Sequence, residues 1–227
     1  MSKDKKDPVL PQNLNPDSDL PPDADMEERF NDFWKKNGVS VFGGIAVGAA
    51  IVIGIQLYQH LQQKKEDEIR AEFAAAATVE AKAAFASAHP DHQLAALAQL
   101  QIADSRYQEG EFEAAASLYA DSAAVFADPT LVTRARLGQG ISLLQAGTTD
   151  AGQAILEAVA LDSSALDQTR GEAAYHLAVS YWEGGDKEKA LETTEIVLQL
   201  DSAPFWVYRA NALKERLGFD ASPVDPS

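Results

Sequence analysis

The chain has 227 residues, with 19 Lys and Arg against 35 Asp and Glu, and a formal net charge of −16. An acidic balance of this size is repelled by nucleic acid and by anionic lipid surfaces, which excludes DNA or RNA binding as a main role. There is no cysteine, so disulfides, thiolate catalysis and thiolate metal sites are excluded too.

Residues 1–25 are rich in Pro, Asp, Asn and Lys, with prolines at Pro8, Pro11, Pro16, Pro21 and Pro22. Few apolar groups offset ordering entropy there, so this segment reads as a disordered tail. Residues 26–37, MEERFNDFWKKN, place Phe30, Phe33 and Trp34 at i, i+3, i+4 on one helical face. Trp34, Lys35 and Lys36 suit a membrane boundary, so this reads as an amphipathic interfacial segment.

Residues 38–58, GVSVFGGIAVGAAIVIGIQLY, contain no Asp, Glu, Lys or Arg. As a helix they span about 31 Å, against a bilayer core of about 30 Å. Ten residues are Val, Ile, Leu or Phe. On an insertion scale these favour the membrane by about −3 to −6 kcal/mol. The expectation is one uncleaved transmembrane helix. Gly44 and Gly48 form a GxxxG pair, a candidate packing face toward a partner helix.

The basic residues near the two ends tie: Arg29, Lys35 and Lys36 against Lys64, Lys65 and Arg70. Lys3, Lys5 and Lys6 tip the balance toward an amino terminus kept inside. Split after Tyr58, the first part holds six basic and nine acidic residues, a net of −3; the remainder holds thirteen and twenty-six, a net of −13. About 170 residues follow the anchor, enough for one domain with its own core.

Residues 59–89 contain no Gly or Pro, which predicts a continuous linker helix with Leu61, Ile69 and Phe73 as apolar markers and an end at Pro90. Residues 90–218 then repeat a unit of helix, glycine turn and helix three times. The turn glycines Gly110, Gly147 and Gly185 lie 37 and 38 residues apart. Ser202, Pro204 and Gly218 bracket a terminal capping helix, with Phe205 and Leu213 expected to face inward. Residues 219–227 read as a loose tail.

The repeats resemble tetratricopeptide repeats. The last shows Leu177-Ala178, Tyr181, Gly185, Ala190 and Val197 at that family's spacing. The first shows Ile102-Ala103, Tyr107, Gly110, Ala115 and Tyr119, with the aromatic one place late. In the middle repeat the family's alanine falls on Gly152 and no aromatic is present, so its register stays open. The fold expected is therefore all-α: one N-terminal transmembrane helix, then a tetratricopeptide-like α-solenoid of helical hairpins.

The whole layout is similar to the YfgM-like family, on the FWKKNG boundary, the single anchor, the Ala-rich linker and the small acidic repeat domain. That resemblance implies an ancillary subunit of the SecYEG translocon in the bacterial inner membrane. Its periplasmic repeat domain would link secreted chains to periplasmic chaperones. The alternative is an envelope-assembly or cell-division scaffold unrelated to secretion.

In tetratricopeptide arrays the first helix of each pair lines the concave face. The resemblance places Leu100, Asp104 and Tyr107 there, then Leu137, Ile141 and Leu144, then Tyr175, Val179 and Trp182, as a protein-binding groove. No catalytic motif is found: there is no GxSxG, phosphate loop or HExxH. His89, Asp91 and His92 form HPDH, which offers two metal ligands but no third at a recognisable spacing. The expectation is a non-enzymatic protein with no cofactor and no metal.

Overall fold

A computed structural model describes the backbone of residues 22–220 and the side chains of residues 26–218. Every regular element among the described residues is a helix. In chain order these are α1 Pro22–Ala75, α2 Val79–Ala88, α3 Gln93–Gln108, α4 Phe112–Val125, α5 Pro129–Gln145, α6 Thr149–Leu161, α7 Asp167–Glu183, α8 Lys187–Leu198 and α9 Pro204–Asp220. The chain divides into two compact units between Lys65 and Glu66.

The described part of the first unit is the bulk of α1. This helix is long and apolar enough to cross a membrane, with a mean hydropathy of 2.2 over its most apolar window. Its large apolar side chains, such as Val39, Phe42, Ile45 and Ile53, are exposed. The interfacial segment and the apolar segment are one unbroken helix. Trp34 lies along it, its ring 6.0 Å from Phe30 and 5.4 Å from Phe42. The small Gly38 between them leaves Trp34 room to do so. The amino-terminal tail expected over residues 1–25 lies outside the described residues up to residue 21. From Pro22 onward the backbone is helical, as proline's fixed φ permits in a first turn.

The linker expected as one helix over residues 59–89 is broken. α1 stops at Ala75, and Thr78 caps α2, its Oγ1 accepting from the Ala81 amide at 3.2 Å. No Gly or Pro marks the break. The chain turns because α2 must fold back to bury Phe85 against Phe73, at a ring separation of 5.5 Å. That burial contributes roughly 1.5–3 kcal/mol, more than a few helical residues do by propensity.

Pro90 follows the end of α2, as expected. The HPDH loop proves to be a pair of pins. His89 Nε2 lies 2.7 Å from Glu72, and His92 Nε2 lies 3.3 Å from Glu66. His92 also caps α3, its Nδ1 accepting from the Leu94 amide at 3.1 Å. Because Nδ1 accepts, the neutral ring carries its proton on Nε2 and donates it to Glu66.

Three hairpins follow: α3 with α4, α5 with α6, and α7 with α8. Each turns at a glycine with φ of 81°, 79° and 82° at Gly110, Gly147 and Gly185. Those angles are left-handed, where a Cβ is strained. Five residues past each glycine stands a small buried residue: Ala115, Gly152 and Ala190. Nine past it stand Tyr119, Leu156 and Thr194, all buried. The register of the middle repeat is therefore the same as that of its neighbours.

What differs there is the distance between helices. A Cβ on Gly152 would meet the Gly140 carbonyl at 2.9 Å and Leu144 Cδ2 at 2.8 Å. The α5–α6 pair packs more closely than alanine allows, so glycine replaces the family's alanine. The aromatic absent from this repeat is supplied by its neighbour: the Tyr119 ring occupies the space beside Gly138.

The capping helix α9 buries Trp206, Ala210, Leu213 and Leu217. Three expectations for it need correction. Phe205 faces outward at 53% exposure, because Trp206 takes the inward position beside Gly171. Ser202 is not the capping residue, since the helix starts at Pro204 directly after the buried Ala203. Gly218 does not stop the helix, which runs to Asp220. Its φ is not left-handed, so it forms no C-terminal glycine cap. Of the loose tail, residues 221–227 lie outside the described residues.

The tight α5–α6 contact predicts that Gly152→Ala destabilises the repeat unit by about 1–3 kcal/mol through overpacking. Urea unfolding followed by circular dichroism will check this. An unchanged midpoint would mean that the two helices are not held so closely.

Candidate protein-binding groove

The first helices of successive hairpins lie side by side, α3 next to α5, α5 next to α7, and α7 next to α9. Each seam opens a cavity. The first, of about 380 Å³, is bounded by Asp104, Tyr107, Tyr119 and Arg134. The second, of about 390 Å³, is bounded by Leu144, His176, Val179 and Glu183. The third, of about 480 Å³, is bounded by Tyr175, Val179, Trp182, Phe205, Tyr208 and Arg209. Val179 and Glu183 border both the second and the third, so these two adjoin.

The nine residues assigned to the groove from sequence occupy three equivalent positions, ten, six and three residues before each turn glycine. The structure treats the positions differently. Tyr107, Leu144 and Trp182, three before the glycine, each line a cavity. Asp104 and Val179, six before it, do so as well, while Ile141 packs half-buried against the core around Leu137. The position ten before faces the second helix of the hairpin. Leu100 and Leu137 are accordingly core residues at 7% and 3% exposure, not groove residues. Tyr175, partly buried against the core, also lines the third cavity from that position. Gly44 and Gly48 are exposed on α1, with open space where a Cβ would stand.

The charged groups are held in place. Tyr119 Oη donates to Asp104 Oδ1 at 2.5 Å, and Arg134 Nη2 donates to the same oxygen at 3.1 Å. Burial, and then the Asp104 carboxylate, push the Tyr119 hydroxyl well above its ordinary range, so it stays a donor. In the third cavity the Arg209 guanidinium stacks 4.7 Å over the Tyr175 ring, and its Nη2 donates to Tyr175 Oη at 3.1 Å. His176 is held below its usual pKa by burial, and further by the charge of Arg209.

The contributions of α9, namely Phe205, Tyr208 and Arg209, were missed from sequence, and so was Arg134. A signal exists for α9. Phe205, Arg209, Ala212 and Arg216 recur at helical spacing, one position round from the buried stripe. Nothing in the sequence said which stripe faced inward. The arrangement offers aromatic surface, fixed cations and hydrogen-bond donors. Among the described residues no group of three or more His, Asp or Glu is placed to hold a metal ion.

The depressed His176 pKa means that the unfolded chain binds its proton more readily than the folded one. His176 therefore lowers stability as pH falls through and below the ordinary histidine value, roughly 6.5. The expected outcome is that His176→Gln unfolds at a higher urea concentration than wild type at pH 5, by more than any difference at pH 7.5. Equal differences at both pH values would refute the assignment.

No curated protein matches the chain. A family model for the tetratricopeptide repeat-like domain matches residues 31–177, which is more than half of the chain. The match begins in α1 and ends inside α7, and the same hairpin geometry continues through α8. Domains of this kind bind other proteins and are typically non-catalytic. With its three hairpins in one register and that match, the chain belongs to the tetratricopeptide repeat-like domain family.

Proposed function

We propose that this protein is a single-pass, membrane-anchored protein-binding module. The observation that carries the reading is the row of cavities along α3, α5, α7 and α9, built from equivalent positions of successive repeats. Tyrosine, tryptophan and arginine line it, the residue types that dominate binding energy at protein interfaces. The exposed apolar surface of α1 supports the anchor, since an uncovered stretch of this length is costly in water. Anchoring raises the local concentration of the groove at the membrane, so modest affinity for a partner suffices.

The finer reading is an ancillary factor of the Sec translocon in the bacterial inner membrane, akin to the YfgM-like family. The amino terminus is cytoplasmic and the repeat domain periplasmic, passing emerging chains to periplasmic chaperones. Resemblance of layout supports it. The acidic repeat domain, which does not adhere to anionic lipid, suits a module that must stay free to meet protein partners.

Two outcomes are expected. A photocrosslinking amino acid at position 182 should capture translocon subunits or periplasmic chaperones in cells, and one at the exposed Ala154 of α6 should not. Capture of only division or envelope-assembly proteins would favour the alternative scaffold. Protease added after outer-membrane permeabilisation should digest the part beyond His60. Its protection, with the inner membrane intact, would reverse the orientation.

A further inference from the structure

Resting on that reading of the groove, we infer that its α7–α9 cavity selects an internal acidic peptide segment whose carboxylates flank large apolar side chains. The argument begins with ion pairing. In a unit so rich in acid, about half of the basic side chains pair with a carboxylate among the described residues. Arg70 pairs with Asp67, Arg106 with Glu109 and Glu111, and Arg134 with Asp104. Arg170 pairs with Asp167, Lys189 with Asp186, and Lys214 with Glu195.

Arg209 and Arg216, like Lys82 and Arg136, reach no carboxylate among the described residues, and what sets the two apart is their shared position. Both line the same cavity. Arg209 is preorganised by its stack on Tyr175 and its bond to the Tyr175 hydroxyl, which leaves the remaining N–H donors of its fork free. A held guanidinium with spare donors matches a carboxylate, and it loses little side-chain entropy on binding one.

The neighbouring surface sets the rest of the ligand. Val179, Trp182, Phe205 and Tyr208 surround the arginines with apolar and aromatic area. Arg209 and Arg216 are seven residues apart, two turns of α9, or about 10.5 Å along its axis. In an extended left-handed peptide, residues three apart lie about 9.3 Å apart on one side. Two acidic residues enclosing two apolar ones therefore fit the spacing. Glu183 lines the opposite wall, on α7, and disfavours a ligand acid on that side. An anionic lipid headgroup is the weaker match, because it carries no large apolar side chain to cover Val179, Trp182, Phe205 and Tyr208 beside the arginines.

The test uses the full chain in phosphatidylcholine nanodiscs and three fluorescein-labelled peptides amidated at the carboxyl end, GSEFLESG, GSQFLQSG and GSKFLKSG. Fluorescence anisotropy should give the acidic peptide about tenfold tighter binding than the glutamine peptide, with the lysine peptide weakest. Arg209→Gln should bring the acidic and glutamine peptides to equal affinity, while Arg209→Lys retains part of the preference.

Equal binding of all three peptides, or an acidic preference indifferent to Arg209→Gln, overturns the charge selection. If such binding still falls with Trp182→Ala, the groove reading survives alone. If no peptide binds, both fall. Displacement of the acidic peptide by glycerol 1-phosphate at equal concentration would assign the site to a phosphate ligand and overturn the proposal.

Discussion

The closeness of the two helices in each hairpin is the constraint on which the repeat unit depends. A left-handed glycine turns the chain, and five residues later a residue with little or no side chain lets the returning helix settle against its partner. Ala115 and Ala190 do this at zero exposure, and Gly152 does it without a Cβ. The packing is tight because protein interiors tolerate neither voids nor overlap. Once each hairpin is closed in this way, its uncovered face must meet the next, and the stack follows.

That stacking also makes the candidate site. Hairpins in one register present equivalent residues along the edge formed by their first helices, so three seams carry three cavities. The residue three places before the turn reaches a cavity in every hairpin, and the one six before it does so in the first and third. Those a further turn back are used up in holding the hairpin together, as Leu100 and Leu137 are. Cavity lining and core thus alternate along one helix, and Tyr175 takes part in both.

The acidic balance of the unit acts on both. It disfavours adhesion to anionic surfaces, and it draws about half of the basic groups into local ion pairs that contribute little stability individually. Against that background, Arg209 differs in being held by an aromatic ring and a hydroxyl in place of a carboxylate. The two histidines beside Pro90 belong to the same economy of charge. Each faces a glutamate of α1, and His92 also caps the helix that follows.

Much of this was legible in the amino-acid order. Hydropathy alone marked the apolar stretch of α1, because a run of about twenty uncharged residues has few stable settings. Three glycines at nearly constant spacing marked the hairpins, because only glycine takes that turn freely. The break at Thr78 was not legible. Alanine-rich sequence is helical by itself, and only the burial of Phe85 against Phe73 decides where it must bend. Nor could sequence rank the two stripes of α9. Phe205 and Trp206 are adjacent and equally suited to a core, and the space beside Gly171 admitted Trp206. Local order fixes which segments are helical and where they turn. Which face of each helix is spent on packing, and which is left to meet a partner, was decided only when the neighbouring helices took up the available volume.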